Sequence, residues 1–465
     1  MTVATDASVR AAYSSDASGL VKVPEGVARP ASREEVVATL NEATRDRMPV
    51  TAAGGQTSTT AASITDVGII LSTRALDRVL DVDPVARTVR VEPGVTIGDL
   101  QRALVPHGLF FAPDPTSEHE CTVGGAIACN ASGPRTLRYG ATRAHVRALT
   151  VALADGTLLD VVRPRLEKNT VGYPPVQDLV DWFIGSEGTL GVIVAAELSL
   201  LPRPAREVGM TIPFASDGDA LRFVVAARES HAIAPRCLEY LDAKAARLAL
   251  RAEAHQAGGV GAASAASART WGANVGGVVY AEEAGETEPP LDAWLALAER
   301  FGAITDDIAV FEGESAIAAA RRLRHAVPAG MHERAAPFLS AGGRRVSTDW
   351  AVPYPRLAEA IGRARHHARA AGIAEPVVFG HAGNGHPHCN YIARDAAEVG
   401  VTEMAVEATL RDVLAMGGTV AAEHGIGKVK RKWLPLQCSP TQQRLMRAIK
   451  RELDPFALLA PGNIL

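Results

Sequence analysis

The pattern of apolar residues predicts a helix early in the chain. Val36, Val37 and Leu40 recur at the spacing of one helical face. Ser32 precedes them and Glu35 follows it by three residues, the arrangement of a capping box, so we expect a helix that begins after Ser32. The same signals in the first part of the chain predict strands over 49–53, 67–72, 88–92 and 190–200, helices behind Thr96 and over 178–183, and a hairpin over 148–161.

The order of predicted strands and helices changes after Pro202 and Pro204, which places a domain boundary at these prolines. Beyond them, longer helical stretches separate short apolar runs, the pattern of an α+β domain with helices on a sheet. The predicted strands cover 208–213, 277–281, 307–311, 346–353 and 376–379, and the predicted helices cover 217–228, 314–325, 354–371 and 440–453. Residues 254–268, rich in Ala, Gly and Ser, lack periodicity and are expected to form an exposed loop.

The composition narrows the class of protein. Of 465 residues, 47% are apolar and 22% are charged, the balance of a globular chain. Lys and Arg number 48 and Asp and Glu 52, and the net charge of −4 argues against nucleic acid as a partner. Five scattered cysteines without a CxxC pair argue against a disulfide scaffold and a cysteine-ligated iron–sulfur cluster. Since no apolar run reaches the length of a membrane span and no signal peptide is seen, we expect a cytoplasmic protein.

Glycine is concentrated in three segments, which read TAAGGQTS (51–58), DPTSEHECTVGGAIACNASGPRTLRYG (114–140) and GSEGTLGVI (185–193). Each offers backbone N–H groups that no side chain crowds, together with hydroxyl donors, which suits a pyrophosphate or a flat ring. None is a GxGxxG motif that opens a helix after a strand. Taken singly, each segment is more simply explained as a tight turn.

Histidines and a glutamate are concentrated near the end of the chain. Residues 380–390 read GHAGNGHPHCN and follow a predicted strand, and residues 417–427 read GGTVAAEHGIG. An HxH pair alone is more often a surface feature than a metal site. Four imidazoles and a carboxylate, bracketed by glycines, exceed what a core histidine pattern produces. They predict a metal-binding or catalytic site.

In this order and spacing, the glycine segments and the histidine motifs resemble the FAD-linked oxidases of the vanillyl-alcohol-oxidase (PCMH) type. The resemblance covers nearly the whole chain and is narrowest to the branch of D-lactate dehydrogenases, glycolate oxidase FAD subunits and D-2-hydroxyglutarate dehydrogenases. It implies an α+β fold with a two-part PCMH-type FAD-binding domain over 1–204. A cap domain with an antiparallel sheet, holding the substrate and metal site, is expected over 205–425. A C-terminal segment, 426–465, is expected to return to the FAD domain.

The resemblance also implies which residues hold FAD. Those expected at the pyrophosphate are Gly54, Gly55, Gln56, Thr57 and Ser58. Those expected along the ribityl chain and isoalloxazine are Pro113, Asp114, Thr116, Ser117, Thr122, Gly124, Gly125, Asn130 and Gly133. Those expected near the adenosine half are Glu187, Gly188, Gly191 and Ile193, with Asn463 at the flavin edge. In this branch FAD is usually non-covalent, and a thioether to Cys121 or Cys129 is the alternative.

For the second group of motifs, the resemblance implies a divalent metal ion beside the substrate. Its ligands would be His381, His388 and Glu423. His424 would be the catalytic base, and Asn390 would contact the substrate or support the ligands. Two imidazoles and a carboxylate suit Zn²⁺ first, with Mn²⁺ and Fe²⁺ as alternatives.

This sequence departs from the more common family pattern GHxGDGNxH at two positions. Asn384 stands in the place of the Asp, and His386 stands in the place of the Asn. His386 is then either an extra metal ligand or a substrate contact.

A cation must also meet the substrate carboxylate. Arg324 matches the carboxylate-binding arginine of the branch, and the alternative is an exposed arginine on the helix 314–325. Relatives that oxidise D-2-hydroxyglutarate carry a lysine where this chain has Ser347. The missing cation favours a monocarboxylate such as D-lactate or glycolate, unless Arg344 or Arg345 supplies the charge.

The implied reaction is the FAD-dependent, metal-assisted oxidation of a D-2-hydroxy acid to the 2-oxo acid, in which hydride passes to flavin N5. Electrons would leave to an acceptor other than NAD, which could be an iron–sulfur partner subunit, a quinone or a soluble carrier. The alternatives are a D-2-hydroxyglutarate dehydrogenase, a flavoenzyme like alkyl-glycerone-phosphate synthase or aryl-alcohol oxidase, and a flavin-carrying subunit of a larger complex. A homodimer and a peripheral association with the inner membrane also stay open.

Overall fold

The computed structural model describes residues 2–257 and 274–465. In chain order the strands are β1 (Val3–Ala4), β2 (Gly26–Ala28), β3 (Val50–Ala53), β4 (Ile69–Ser72), β5 (Val79–Asp83), β6 (Thr88–Val91), β7 (Leu109–Phe110), β8 (Val146–Ala152), β9 (Leu158–Val162), β10 (Val192–Ser199), β11 (Leu201–Pro202), β12 (Arg206–Phe214), β13 (Pro235–Asp242), β14 (Gly277–Gly285), β15 (Ala309–Glu312), β16 (Gly342–Ser347), β17 (Val377–His381) and β18 (His386–Asp395). The α-helices are α1 (Ala7–Ala12), α2 (Arg33–Arg45), α3 (Ile97–Leu104), α4 (Val123–Cys129), α5 (Thr136–Tyr139), α6 (Pro174–Gln177), α7 (Val180–Phe183), α8 (Asp217–Glu229), α9 (Ala243–Ala257), α10 (Leu291–Arg300), α11 (Glu314–Ala335), α12 (Leu357–Ala370), α13 (Ala396–Ala415), α14 (Leu434–Gln437) and α15 (Pro440–Leu453).

The first long helices begin at the capping residues that the sequence predicts. Ser32 Oγ accepts a hydrogen bond from the Glu35 N–H at 3.2 Å, and α2 follows. The Glu35 carboxylate reaches back to the N–H of Ala31 at 2.8 Å. Thr96 Oγ1 accepts from the Asp99 N–H at 3.0 Å at the start of α3. These bonds satisfy backbone donors that the first turn of a helix leaves without a partner.

One compact unit, unit 1, comprises residues 2–133, 139–203 and 423–465. It contains a four-stranded sheet in the order β1-β2-β4-β3, in which β2, β4 and β3 are parallel, and a five-stranded antiparallel sheet in the order β5-β6-β10-β8-β9. The end of the chain is part of this unit, because Leu459 forms a parallel bridge with Val50 of β3.

The other compact unit, unit 2, comprises residues 134–138 and 204–422 of the described chain. Its sheet has seven antiparallel strands in the order β15-β12-β14-β13-β17-β18-β16. Val327 of α11 packs with Leu241 and Phe379 in a buried apolar cluster, so α11 covers one face of this sheet. The predicted α+β fold with an antiparallel sheet is confirmed.

The strand predictions for unit 2 differ from the structure in three places. No strand is predicted where β13 and β18 lie. The strand predicted over 346–353 is wrong beyond Ser347, where β16 ends. Thr348 still donates its N–H to the Cys389 carbonyl at 3.0 Å, but Ala351 pairs with Thr419 instead of continuing along β18. The segment therefore leaves the sheet and runs towards the residues that precede Glu423.

The helices also differ from the predictions, since none is predicted at α9, α10 or α13. Asp178 accepts a hydrogen bond from the Val180 N–H at 3.1 Å, so α7 begins only at Val180. Helix α11 continues past the predicted end at His325, although it contains Pro328. Of the loop predicted over 254–268, residues 254–257 lie in α9 and the remainder lie outside the described residues. Over the described ranges, no helix is both long and apolar enough to cross a membrane.

Candidate active site

The hairpin β17–β18 brings three histidines to one face of the unit 2 sheet. His381 lies directly opposite His386 in the antiparallel register, and His388 follows His386 by two residues. Opposite residues and residues two apart on a strand share a face. Gly385 closes the turn with a φ of +67°, and a Cβ there would overlap the carbonyl of Val352, so a side chain is excluded at this position.

The three imidazoles are close together and almost completely buried. The ring centroids are 4.7 Å apart for His386 and His388, 5.3 Å for His381 and His386, and 5.4 Å for His381 and His388. The exposed fractions are 3% for His381, 4% for His386 and 5% for His388. Each ring offers a nitrogen within 4.8 Å of a nitrogen of the other two. This donor set suits a transition-metal ion.

A buried carboxylate, Glu239 of β13, joins His381 to Arg324. Glu239 Oε1 accepts a hydrogen bond from His381 Nδ1 at 2.6 Å, and Oε2 accepts from Arg324 Nε at 2.8 Å. Burial alone would raise the pKa of Glu239, but its interactions with His381 and Arg324 hold it at about 2. Arg324 is 5% exposed, so the alternative of an exposed helix arginine is wrong.

The side chains of Asp349 and Asn390 complete the surroundings of the histidines within unit 2. Asp349 Oδ1 lies 2.9 Å from His386 Nε2, and the Asp349 carbonyl accepts the N–H of Ala422 at 2.7 Å. Asn390 donates from Nδ2 to the His388 carbonyl at 3.3 Å. Its buried Oδ1 has no hydrogen-bond partner among the described residues. A buried acceptor of this kind suits a ligand that donates a hydrogen bond.

The remaining predicted residues of unit 2 fall at the turn and on β16. Asn384 ends the short 3₁₀ helix Ala382–Asn384 between the histidine strands. Arg344 pairs with Glu403 at 2.8 Å. Arg345 and Ser347 alternate with Arg344, and Ser347 lies opposite Asn390, so these two residues share the histidine face. Burial lowers the pKa of Arg345.

In unit 1, the first glycine segment lies against the start of α4. Thr122 Oγ1 caps this helix by accepting from the Gly125 N–H at 3.3 Å. A Cβ on Gly54 would overlap Thr122 Oγ1, and a Cβ on Gly55 would overlap the carbonyl of Glu120. The hydroxyl of Thr59 nearby in the sequence is buried without a hydrogen-bond partner in the described chain. Backbone amides of residues without a side chain and an unsatisfied hydroxyl fit the phosphates of a dinucleotide.

The other residues predicted at FAD occupy the loop after β3, the loop before α4, α4 and the residues that follow it, and the segment that leads into β10. Asn130 forms the C-cap of α4 with a φ of +50°, and its Oδ1 accepts from the Arg143 N–H at 2.9 Å. Ser58 Oγ accepts from the N–H groups of Thr60 and Ala62 at 3.2 Å. The side chain of Gln56 donates to the Ser15 carbonyl at 2.9 Å. The remaining predicted residues, all in unit 1, are Thr57, Pro113, Asp114, Thr116, Ser117, Gly124, Gly133, Gly188, Gly191 and Ile193.

Glu187 and Asn463 bind parts of unit 1 to one another. The Glu187 carboxylate accepts from the N–H groups of Ile426 and Gly427 at 2.6 and 2.7 Å. Asn463 donates to the carbonyls of Ala62 and Glu187 at 2.9 and 3.1 Å, and accepts from Lys428 Nζ at 2.6 Å. Both side chains therefore hold the last segment of the chain in place.

Glu423 and His424 open the third segment of unit 1, directly after Ala422. Ser132 Oγ donates to Glu423 Oε2 at 2.8 Å, and Thr60 Oγ1 donates to the His424 carbonyl at 3.2 Å. The His424 Nε2 lies 3.2 Å from Glu423 Oε1.

Sequence reasoning missed Glu239 and Asp349. Glu239 lies on β13, a strand that is not predicted, and it is 142 residues from its partner His381. Asp349 lies in the stretch wrongly predicted as a continuous strand. The signal that would have found Glu239 is its position within the otherwise apolar run 237–241, since a buried acid there needs a partner.

The chain is similar to known proteins over both units. Residues 24–161 match an FAD binding domain, and residues 203–464 match the C-terminal domain of FAD linked oxidases. The chain is 30% identical to glycolate oxidase subunit GlcD of Bacillus subtilis, over 98% of this chain and 92% of that protein. It is 31% identical to a D-lactate dehydrogenase of Archaeoglobus fulgidus, over 94% and 90% of the two chains. It is also 31% identical to a D-2-hydroxyglutarate dehydrogenase of Xanthomonas citri pv. viticola, over 95% and 89%.

A solved structure of an alkyldihydroxyacetonephosphate synthase resembles the chain with a TM-score of 0.68 and 17% identity, over 95% of this chain and 77% of that one. At this identity the likeness shows the fold alone.

Proposed function

The chain belongs to the family of FAD-linked oxidases and is therefore an FAD-dependent oxidoreductase, and we propose that it oxidises a D-2-hydroxy acid to the corresponding 2-oxo acid. The family predicted from the motifs is confirmed by these matches. The observation that carries the proposal is the similarity to relatives over nine-tenths of their length: the names of these relatives include glycolate, D-lactate and D-2-hydroxyglutarate enzymes.

Residues on the sheet face that carries the histidines indicate which 2-hydroxy acid is the substrate. Glycolate, D-lactate and D-2-hydroxyglutarate all have a hydroxyl on the carbon beside a carboxylate. Ser347 offers no charge for a second carboxylate, which favours a monocarboxylate such as D-lactate or glycolate. Arg345 shares the face of Ser347 and makes D-2-hydroxyglutarate the second candidate.

When bound, FAD supplies the acceptor for the hydride that leaves the substrate. We propose that Gly54, Gly55 and their neighbours hold its pyrophosphate, because both glycines lie too close to Thr122 and Glu120, at the start of α4, to carry a side chain. Burial raises the pKa of Cys121 to about 11, and burial also raises that of Cys129. Protonated thiols are poor nucleophiles, which supports non-covalent FAD.

A divalent ion, when bound, would supply Lewis-acid polarisation of the substrate hydroxyl. We propose His381, His388 and Glu423 as its ligands and Zn²⁺, Mn²⁺ or Fe²⁺ as the ion. Because the Glu239 carboxylate accepts a hydrogen bond from Nδ1 of His381, Nε2 is the nitrogen that carries the lone pair. This arrangement supports His381 as a ligand.

Arg324 is the proposed partner of the substrate carboxylate, held in place by Glu239. Asn390 is proposed to contact the substrate, because its Oδ1 is buried without a partner in the described chain. Electrons are proposed to leave to an acceptor other than NAD in the cytoplasm. An iron–sulfur partner subunit, a quinone and a soluble carrier are the candidate acceptors.

We propose His424 as the base that removes the hydroxyl proton. His424→Asn keeps a polar side chain but removes the basic nitrogen. The rate of flavin reduction by substrate should fall at least about 10²-fold, while the FAD content stays that of the unchanged protein. His107→Asn, an exposed histidine of the same unit, is the control and should retain the full rate. Undiminished flavin reduction in His424→Asn would remove His424 from the proposal.

A further inference from the structure

His386 occupies a position that completes a triangle of imidazoles. It lies directly opposite His381 across the hairpin and two residues from His388, so all three rings project from one face. With a shorter side chain at this position, the hairpin would carry only a diagonal pair of rings. The histidine adds a third nitrogen donor to the same small volume, within 4.8 Å of the donor atoms of the other two.

The surroundings of the His386 ring are those of a ligand rather than of a hydrogen-bonded core histidine. Its Nε2 is buried and lies 2.9 Å from Asp349 Oδ1, yet the two atoms do not form a hydrogen bond, and Nε2 has no other partner among the described residues. His367 and Asp412 provide the contrast. There, Nε2 and Oδ2 are 2.8 Å apart and form a hydrogen bond between two helices, α12 and α13, where both side chains are partly exposed.

When a ring nitrogen and a carboxylate oxygen approach this closely in a buried site without a hydrogen bond between them, their repulsion destabilises the fold. A cation nearby would remove this repulsion, because its positive charge attracts both the nitrogen lone pair and the carboxylate.

We propose that His386 is a third imidazole ligand of the divalent ion, with the charge of Asp349 beside it. The inference rests on the proposed function, in which His381, His388 and Glu423 bind that ion. Together they make four protein ligands, three of them nitrogen. A divalent ion held by these side chains would also bind the hydroxyl and the carboxylate of a 2-hydroxy acid. Such a set favours Mn²⁺, Fe²⁺ or Zn²⁺ over Mg²⁺ and Ca²⁺, which prefer oxygen ligands.

The test counts imidazoles on the ion directly. The full-length flavoprotein is loaded with Mn²⁺, its metal content is measured by mass spectrometry, and coordinated nitrogens are counted by pulsed EPR. The unchanged protein should show three imidazoles and His386→Asn two. The dissociation constant for Mn²⁺ should rise at least about 10-fold in His386→Asn. His367→Asn, which breaks a His–Asp pair away from the site, should leave both quantities unchanged.

Two results would overturn the inference in distinguishable ways. If the unchanged protein and His386→Asn both show two imidazoles and equal affinity, His386 is not a ligand, while the proposed function stands. If the unchanged protein binds no divalent ion but reduces its flavin with a 2-hydroxy acid, the metal site fails and the oxidation stands. A circular dichroism spectrum of His386→Asn that matches the unchanged protein excludes misfolding as the cause of a loss.

Discussion

Glu239 is the residue that fixes two of the proposed active-site side chains at once. One carboxylate oxygen accepts from His381 and the other from Arg324, and the residue itself is 1% exposed. A carboxylate behind a ligating imidazole sets which ring nitrogen faces the ion. Glu239 is therefore a positioning residue: it acts through His381 and Arg324.

Glu239→Gln tests this role, because the amide keeps the size but can accept at only one of its two ends. His381 or Arg324 then loses its acceptor in a buried site. We expect kcat/KM and the affinity for the metal ion each to fall about 10- to 100-fold. Both are measured by steady-state kinetics and metal titration. Glu403→Gln, which breaks the ion pair with Arg344, is the control. If Glu239→Gln and Glu403→Gln had equal effects, the ion pair of Glu239 would have only a structural role.

At the residue scale, the sequence could predict what one motif brings together. His381, His386 and His388 lie in one hairpin, so their common face follows from local spacing. The partners of those histidines could not be predicted. Glu239 comes from a neighbouring strand far along the chain, and Asp349 from a segment that leaves the sheet. Only the order of the strands, which is a tertiary property, places them there.

At the element scale, the last segment of the chain is held to unit 1 by buried polar groups. Lys428 Nζ donates to Asn463 at 2.6 Å and to the Ala61 carbonyl at 3.2 Å. Burial, together with the charge of Lys22, lowers the pKa of Lys428 to about 8. Burying the charged amine therefore lowers the free energy of unfolding, whereas the neutral amine can keep its hydrogen bonds without that penalty.

This shift predicts a pH dependence of stability. Between about pH 8 and the ordinary lysine value of about 10.4, the unfolded chain binds more protons at Lys428 than the folded chain does. The free energy of unfolding should therefore rise with pH relative to that of Lys428→Met. Chemical denaturation of both proteins from about pH 7 to about pH 10 measures the difference. Lys432→Met, at an exposed site, should show no such trend, and a flat difference for Lys428→Met would contradict the lowered pKa.

Element boundaries could be predicted where a local hydrogen bond sets them. Ser32 and Thr96 begin α2 and α3, and the helix predicted over 440–453 is α15. The strand predicted over 346–353 is wrong because apolar residues continue beyond Ser347 while the chain changes its pairing partner to Thr419. An apolar pattern in the sequence predicts which residues are buried, but it does not predict which segment a strand pairs with.

At the scale of the whole molecule, and apart from the short stretch 134–138 that belongs to unit 2, the chain forms unit 1, then unit 2, and then returns to unit 1. The return occurs between Ala422 and Glu423, beside the sequence motif that carries Glu423 and His424. Composition and charge could not reveal this path. The glycine segments and the histidine motifs could reveal the family, because their order along the chain is specific even though each motif alone is weak.

The central claim is that a D-2-hydroxy acid reduces the bound flavin. Mixing the flavoprotein with D-lactate, glycolate and D-2-hydroxyglutarate without oxygen, and following the visible flavin absorption by stopped flow, tests it most directly. We predict rapid loss of the absorption with at least one of these acids, and a rate with L-lactate at least about 10²-fold below that with D-lactate. Unchanged absorption with every acid would contradict the proposed function, and so would reduction by D-lactate and L-lactate at equal rates.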